Sequence, residues 1–384
     1  MPREVAEVKA GVEATLALVG ERADEMERHR RLSDDVVEGL RRTGINRLMV
    51  PAALGGLEAP ALDLLDVVER IGAADGSTGW CALIGFASNA FAGYLPEAGA
   101  RAVYADPDQG NATMFAPTGR VVPDAGLGSH RMTGRWPFTS NCLHSAWAGL
   151  GAMVEGADGS VEPVPRVVFV PVEALGVDED WDSAGLRATG SHRTTAEAVP
   201  VELDHMCTFV DRPWPDGTLW RMPLYTLFVP LLATVPLGIA RGAIDEVVRQ
   251  AGEGRVARRG QVTDDPVSLA DLGWADTRLR AARAGLREAV AEVHDLAERG
   301  EPVGKQLKAR TALASLHACD VSVEVASVAH QLGGGAAAYA GSRLLRALND
   351  AMAARQHLLF APGHRVELTR ALLGEDVVYP PFIL

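Results

Sequence analysis

Cysteine and metal-ligand patterns are sparse in this chain of 384 residues. Its four cysteines form no CxxC pair, and its ten histidines include no HxxxH pair on a helix. We therefore predict neither a metal site nor a redox dithiol. Unpaired thiols are typical of the reducing cytosol, so we expect a cytoplasmic protein.

Positive charge is also scarce, because 37 Lys and Arg residues face 50 Asp and Glu residues and the formal net charge is -13. Non-specific nucleic-acid binding needs cations, so we expect no nucleic-acid partner. The one long uncharged stretch, residues 223–240, contains three prolines and is short for a membrane span. We expect a buried helix there and no membrane segment.

Nucleotide-binding fingerprints are missing as well. Gly149-Leu-Gly151 lacks the third glycine of a Rossmann motif, and its surroundings are strand-like. The sequence from Gly300 to Lys305 is one residue short of a P-loop and has no Ser or Thr after the lysine. Neither pattern predicts a nucleotide site.

The hydrophobic periodicity of the sequence changes along the chain. Residues 1–110 have helical periodicity, including the almost wholly apolar run 80–94, which indicates a helix buried on all sides. Residues 111–212 alternate short runs of Val, Thr and aromatics with turn residues, which indicates an antiparallel barrel or sandwich. Residues 213–384 return to long helical patterns with a heptad of apolar residues, which indicates a helical bundle. The expected fold is mainly α with a central β domain.

Six segments carry a resemblance to a known family. They are Gly44-Ile-Asn-Arg-Leu-Met-Val-Pro51, Asp75-Gly-Ser-Thr-Gly-Trp80, Phe115-Ala-Pro-Thr-Gly119, Gly134-Arg-Trp-Pro-Phe-Thr-Ser140, Gly185-Leu-Arg-Ala-Thr-Gly-Ser191, and Gln331-Leu-Gly-Gly-Gly335 with its continuation to His357. Together the segments resemble the acyl-CoA dehydrogenase superfamily, and most closely its flavin-dependent monooxygenase branch. The resemblance implies an N-terminal helical domain, a small antiparallel β-barrel and a C-terminal four-helix bundle.

The position of the dehydrogenase base distinguishes the two branches. Where many dehydrogenases carry a catalytic Glu, this chain has Arg355-Gln-His357-Leu-Leu359, and an apolar leucine cannot act as a base. Gln-His is typical of the monooxygenases. The resemblance thus implies the oxygenase component of a two-component system, in which reduced flavin (FADH2 or FMNH2) and O2 form a C4a-hydroperoxide that hydroxylates an aromatic or polycyclic molecule.

The resemblance assigns roles to several residues of the site. His357 would handle protons beside the flavin, and Ser140 would offer hydroxyl and backbone donors to it, so both are candidate catalytic residues. The ordinary alternatives are a core histidine and a strand-end turn. The family often has Gly after this serine, whereas Asn141 follows here, so the sequence does not determine the local backbone conformation. The remaining candidates for flavin binding are Trp80, Phe115, Pro117, Thr118, Phe138, Thr139, Arg258, Gly333, Gly334 and Gly335.

The substrate side departs from the simplest aromatic hydroxylases. Some of these carry a His two turns after the equivalent of Trp80, where this chain has Ser88 followed by Asn89. We therefore expect these two residues to meet a larger polycyclic or indole-like substrate. The implied partners are O2, a separate NAD(P)H-dependent flavin reductase and further copies in a homotetramer. Alternatives are an acyl-CoA dehydrogenase with a relocated base, an amino-sugar N-oxygenase and a non-catalytic binding protein.

Overall fold

The N-terminal part is helical. The computed structural model describes residues 2–124, 129–208, 210–254, 256–257 and 260–377. The first helices are α1 (Pro2–His29), α2 (Asp34–Arg42), α3 (Ala61–Ala74), α4 (Gly76–Ala87) and α5 (Glu97–Val103).

Helix α4 is the element of this part that reaches the centre of the molecule. Asp75 caps its N-terminus, because its carboxylate accepts hydrogen bonds from Thr78 N (2.8 Å) and Thr78 Oγ1 (2.7 Å). A Cβ on Gly79 would lie 2.7 Å from Gly72 Cα, so α3 and α4 touch through their backbones. The apolar residues of α4 are accordingly buried on nearly every side, as the sequence predicts.

The middle of the chain forms one seven-stranded sheet in the order β5-β6-β2-β1-β3-β4-β7. Its strands are β1 (Ala112–Asp124), β2 (Ser129–Trp136), β3 (Trp147–Val154), β4 (Arg166–Pro171), β5 (Gly176–Asp178), β6 (Arg193–Val201) and β7 (Met206–Cys207). Two further short strands, β8 (Val256–Ala257) and β9 (Gly260–Gln261), form a separate hairpin.

One pairing in this sheet corrects the expectation of a purely antiparallel domain, since β1 and β3 run parallel. Strand β2 runs back along one side of β1. Residues 137–146 then pass the N-terminal end of β1 and carry the chain to its other side. Strand β3 therefore enters in the direction of β1. Periodicity of two reveals a strand's faces but not its direction, which is why the sequence missed this.

The β domain has its own core around Trp136, which is fully buried and donates from Nε1 to Gly151 O at 2.8 Å. Glycines make room for this indole. A Cβ on Gly119 would lie 2.3 Å from the ring and one on Gly134 would lie 2.6 Å from it. Because β2 ends at Trp136, this anchor also fixes where the following loop leaves the sheet.

The C-terminal part is a helical bundle that packs against α3 and α4. Its helices are α6 (Thr218–Arg221), α7 (Tyr225–Gly252), α8 (Pro266–Glu298), α9 (Lys305–Leu332), α10 (Arg343–Arg355) and α11 (His364–Leu372). The observed architecture confirms the predicted fold class.

Helices α7 and α9 are long and apolar enough to cross a membrane by length and composition alone. However, 89% of the apolar window of α7 is buried inside the structure, against 56% for α9. The uncharged stretch is therefore a buried helix, which confirms that part of the prediction made for it. Pro230 and Pro236 lie within α7, where each removes one backbone hydrogen bond near the residues that face the β domain.

Candidate active site

One cavity of about 400 Å³ lies where α4, β1, the loop after β2, α7 and the end of α10 meet. Its volume is in the range of cofactor and ligand sites. Six of the residues singled out in the sequence line it: Trp80, Ser88, Phe115, Phe138, Ser140 and His357. They come from four separate stretches of the chain, so the fold brings them together.

His357 lies directly after the end of α10 and faces this cavity. Its Nδ1 accepts a hydrogen bond from the Leu359 amide (3.3 Å), so Nδ1 carries no proton and Nε2 is the protonated nitrogen of the neutral ring. Burial lowers the pKa of His357 to about 4, so the ring is neutral at pH 7. Within the described residues the ring makes no hydrogen bond through Nε2, which leaves this N–H available to a ligand.

Trp80 connects the two candidate catalytic residues. Its indole ring lies 5.8 Å from the His357 ring, centroid to centroid, and its Nε1 donates to Ser140 Oγ at 3.2 Å. The side chain is almost fully buried. Trp80 therefore holds the imidazole and the hydroxyl on one side of the cavity.

The Ser140 hydroxyl belongs to a row of buried polar groups. Ser140 Oγ lies 2.7 Å from Ser191 Oγ, which lies 2.7 Å from Thr189 Oγ1. Thr189 Oγ1 in turn donates to the Leu186 carbonyl at 2.8 Å. All three hydroxyl residues line the cavity.

The loop that carries Ser140 has an unusual backbone. Phe138 and Asn141 have φ angles of +62° and +66°, in the left-handed region that most side chains avoid. Asn tolerates this region better than other non-glycine residues, so Asn141 adopts the conformation that the family's glycine would take. The Asn141 amide also donates to Thr189 O (3.2 Å), which ties this loop to the row of hydroxyls.

An aromatic cluster forms the apolar wall of the cavity. Phe115 packs against Phe91 with ring centroids 5.4 Å apart and against Phe228 at 6.3 Å. Tyr225 also lines the cavity, and burial raises its pKa to about 12, so it stays protonated. Phe138 is exposed at the edge, in edge-to-face contact with Trp181.

Ser88 and Asn89 have different roles. Ser88 Oγ lies 2.9 Å from Thr113 Oγ1, and this hydroxyl pair lines the cavity. Asn89 points elsewhere: its amide donates to Asn46 O and Gln109 O, each at 2.9 Å. Asn89 therefore braces the N-terminal part and does not line the cavity, because successive residues of this tight helical turn face different sides.

The other predicted flavin-binding residues lie away from this cavity. Thr139 is fully buried and its hydroxyl bonds Trp136 O and Thr194 Oγ1. Pro117 and Thr118 are exposed on β1, in the stretch where its pairing with β3 shifts register between Met114 and Gly119, so the regular alternation of faces is interrupted there.

The three consecutive glycines end α9 and begin a short 3₁₀ helix. A Cβ on Gly333 would lie 2.4 Å from Leu344 Cδ1, so close packing against α10 requires the first glycine. Gly334 has a φ of +58°, and Gly335 faces open space. None of these glycines lines the cavity, and a contact with flavin in a neighbouring subunit stays a prediction. Arg258 lies outside the described residues.

No Asp or Glu side chain is among the described residues that line the cavity. Asp350, the carboxylate of α10 nearest in sequence to His357, is buried elsewhere and accepts from the Leu186 amide at 2.6 Å. Burial, together with nearby Asp75, raises its pKa well above the usual range. The cavity thus offers an imidazole and hydroxyls but no carboxylate base for removing an α-proton.

Several lining residues were not anticipated, among them Thr113, Trp181, Thr189, Ser191 and Tyr225. Two of them, Thr189 and Ser191, stand in the Gly185–Ser191 segment that carried part of the family resemblance. That segment was the available signal, but nothing in it indicates which side chains turn inward.

Comparisons with known proteins identify relatives of this chain. Residues 5–103 match the family described as acyl-CoA dehydrogenase, N-terminal domain, and residues 231–362 match acyl-CoA dehydrogenase, C-terminal domain. Indole-3-acetate monooxygenase of Pseudomonas putida is 33% identical over 356 residues, which cover 90% of this chain and 88% of that protein.

This chain belongs to the flavin-dependent monooxygenases of the acyl-CoA dehydrogenase family.

Two further relatives show which part of the system this monooxygenase is. The flavin-dependent monooxygenase oxygenase subunit HsaA of Rhodococcus jostii (strain RHA1) is 30% identical over 360 residues, covering 90% of this chain and 92% of that protein. XiaF from Streptomyces sp., solved with FADH2 and glycerol, has a TM-score of 0.90 at 25% identity and covers 98% of this chain and 97% of its own. The predictions of an oxygenase component and of reduced flavin as cofactor are confirmed.

The residues of this monooxygenase fit a reduced flavin. An aromatic wall suits the flavin ring system, and the Nε2–H of the half-buried His357 has no hydrogen-bond partner among the described residues. Ser140 Oγ can accept a hydrogen bond in addition to those it makes with Trp80 and Ser191. Trp80, Phe115, Phe138, Ser140 and His357 are the residues here that would hold the ring.

Proposed function

We propose that this enzyme hydroxylates an aromatic or polycyclic small molecule bound in the 400 Å³ cavity. The observation that carries the proposal is the pairing of a neutral imidazole with a hydroxyl in a cavity whose described lining holds no carboxylate. A bound reduced flavin supplies two electrons, so that one atom of O2 enters the substrate and the other leaves as water.

His357 has the properties of a hydrogen-bond donor that does not ionise at neutral pH. Its Nε2–H can donate a hydrogen bond to a bound oxygen atom, while its Nδ1 is kept in place by the Leu359 amide. Because its pKa is about 4, the ring does not add a positive charge to the apolar cavity at pH 7.

Exclusion of water is the second task of the site. Activated oxygen is lost as H2O2 when water and protons enter freely. The packed rings of Phe91, Phe115 and Phe228 close the inner side of the cavity. The hydroxyl pair of Ser88 and Thr113 is the polar contact that we assign to the substrate.

The substrate class follows from this lining together with the relatives. The Pseudomonas putida relative is named for indole-3-acetate. An aromatic wall with one hydroxyl pair suits an indole-like or polycyclic molecule, because stacking and burial supply most of the binding energy while the hydroxyls orient it.

An oxygenase component depends on a separate reductase, which must deliver the reduced flavin. We propose that this reductase uses NAD(P)H, that the enzyme is a cytoplasmic homotetramer, and that it binds neither nucleic acid nor membranes. The formal net charge of -13 supports the expectation of no nucleic-acid partner, and the four free cysteines support the cytoplasmic location. The exposed apolar side chains near the C-terminus, such as Leu358, Val366 and Leu373, support burial between subunits.

The test supplies the enzyme with chemically reduced FMN or FAD, ¹⁸O2 and a panel of indoles, phenols and polycyclic phenols. We expect a hydroxylated product that carries one ¹⁸O atom. In the variant His357→Gln we expect product per reduced flavin to fall at least tenfold, a modest share of what the loss of one positioned hydrogen-bond donor costs, while H2O2 rises.

The control is His364→Gln, since His364 is buried, bonds Leu358 O and does not line the cavity. It should keep the ratio of product to H2O2. Bleaching of oxidised flavin by an acyl-CoA panel without O2 would show a dehydrogenase and contradict the proposal.

A further inference from the structure

A row of three buried hydroxyls ends at Ser140 and begins at a backbone carbonyl. In order from the carbonyl, the donor–acceptor distances are 2.8 Å (Thr189 Oγ1 to Leu186 O), 2.7 Å (Thr189 to Ser191) and 2.7 Å (Ser191 to Ser140). All three side chains are at most 8% exposed, so water does not readily replace these bonds.

Proton counting gives the row a direction. A carbonyl oxygen only accepts, so the single hydroxyl proton of Thr189 goes to Leu186 O. Thr189 must then accept from Ser191, and Ser191 must accept from Ser140. The Ser140 proton is therefore already used inside the protein.

The hydrogen bond that Ser140 receives from Trp80 agrees with this direction. Trp80 Nε1, which can only donate, gives its hydrogen bond to Ser140 Oγ at 3.2 Å. One lone pair of Ser140 remains for a ligand. Toward the cavity Ser140 thus acts as an acceptor, which replaces the sequence-based expectation that its hydroxyl would be a donor.

The carbonyl that sets this direction is held firmly. Leu186 has a φ of +51°, its amide donates to Asp350 Oδ1 at 2.6 Å, and its carbonyl also accepts from Trp181 Nε1 at 3.0 Å. Because the anchor is fixed from both sides, the hydroxyls cannot easily reverse.

We infer that Ser191 and Thr189 are positioning residues that orient the Ser140 hydroxyl as an acceptor and thereby make the site favour reduced over oxidised flavin. This inference rests on the proposed function. As part of this inference we place position N5 of the isoalloxazine against Ser140, since N5 of the reduced ring carries a hydrogen that an acceptor can bind. In the oxidised ring N5 is itself an acceptor, which a Ser140 held in this way does not serve.

The experiment measures dissociation constants of the full-length enzyme for oxidised and for dithionite-reduced FMN and FAD, anaerobically, by calorimetry. The variants are Ser191→Ala and Thr189→Val, with Thr189→Ser as the variant that keeps the hydroxyl. In both of the first two, Ser140 becomes free to donate. We expect the preference for reduced flavin to fall roughly three- to tenfold, the equilibrium value of one hydrogen bond.

Thr194→Val is the matched control, because Thr194 is a fully buried hydroxyl that bonds Thr139 and lies outside the row. It and Thr189→Ser should keep the wild-type preference. An unchanged preference in Ser191→Ala, or an equal loss in Thr194→Val, would overturn the inference. If wild-type enzyme binds neither form of flavin, the proposed function fails instead, so the two failures are distinguishable.

Discussion

The pH dependence of stability tests the surroundings of His357 directly. Its pKa is about 4 in the folded protein, whereas an exposed histidine has a pKa near 6.5. The unfolded chain therefore takes up a proton as the pH falls through about 6.5, but the folded ring does not. The resulting loss of stability is absent above this pH and grows until the folded ring also protonates near pH 4.

The size of the effect follows from the two pKa values. At pH 5 they correspond to a loss of about 2 kcal/mol in the free energy of unfolding, relative to pH 7.5. Because the residue is only partly buried, we expect roughly 1–2 kcal/mol. The variant His357→Gln lacks this loss, so its stability relative to wild type should rise by that amount between pH 7.5 and 5.0.

The assay is urea unfolding of flavin-free protein at one protein concentration and at both pH values. His144→Gln is a parallel variant outside the cavity, because burial lowers the pKa of His144 to about 4 as well and its Nε2 is buried without a partner in the described structure. An effect at His144 without one at His357 would show that water fills the cavity around the imidazole, and the argument for a dry site would be refuted.

Three further predictions concern the framework of the site. Asn141→Gly should leave the melting temperature nearly unchanged, whereas Asn141→Ala should cost about 1–2 kcal/mol, since φ is +66° there; thermal melts distinguish them. Gly134→Ala places a Cβ 2.6 Å from the Trp136 ring and should destabilise the β domain by about 1–3 kcal/mol, which near-ultraviolet circular dichroism and melting would detect. Asp350→Asn should stabilise the protein at pH 8 and lose this advantage toward pH 4, because burial raises the Asp350 pKa and charging the carboxylate is unfavourable; an advantage that grows at low pH would contradict the argument.

The order of the domains was readable from local pattern. The apolar run of α4, the alternating strands and the heptads of the bundle each indicate which faces of a segment are buried. Such a pattern can be seen within the segment itself. The parallel pairing of β1 with β3 was not readable, because it depends on the path of residues 137–146 around the end of a strand.

The candidate site could likewise be predicted from the sequence only in part. The family resemblance indicated Trp80, Ser140 and His357, and the structure places all three on one cavity. It did not distinguish Ser88, which lines the cavity, from Asn89, which braces Asn46 and Gln109. Neighbouring residues of a tight helical turn face different sides, and which side meets the cavity depends on what packs against the turn.

The sequence by itself determined that an imidazole stands where related dehydrogenases carry a carboxylate, because the identity of a side chain is a property of the chain alone. Only the tertiary structure decided what that imidazole and its neighbouring hydroxyl can do. Burial lowers the pKa of His357, and the direction of the row from Leu186 to Ser140 is imposed by a carbonyl 46 residues away in the sequence. Both effects come from groups that folding brings together, and solvation and hydrogen bonding depend on that proximity.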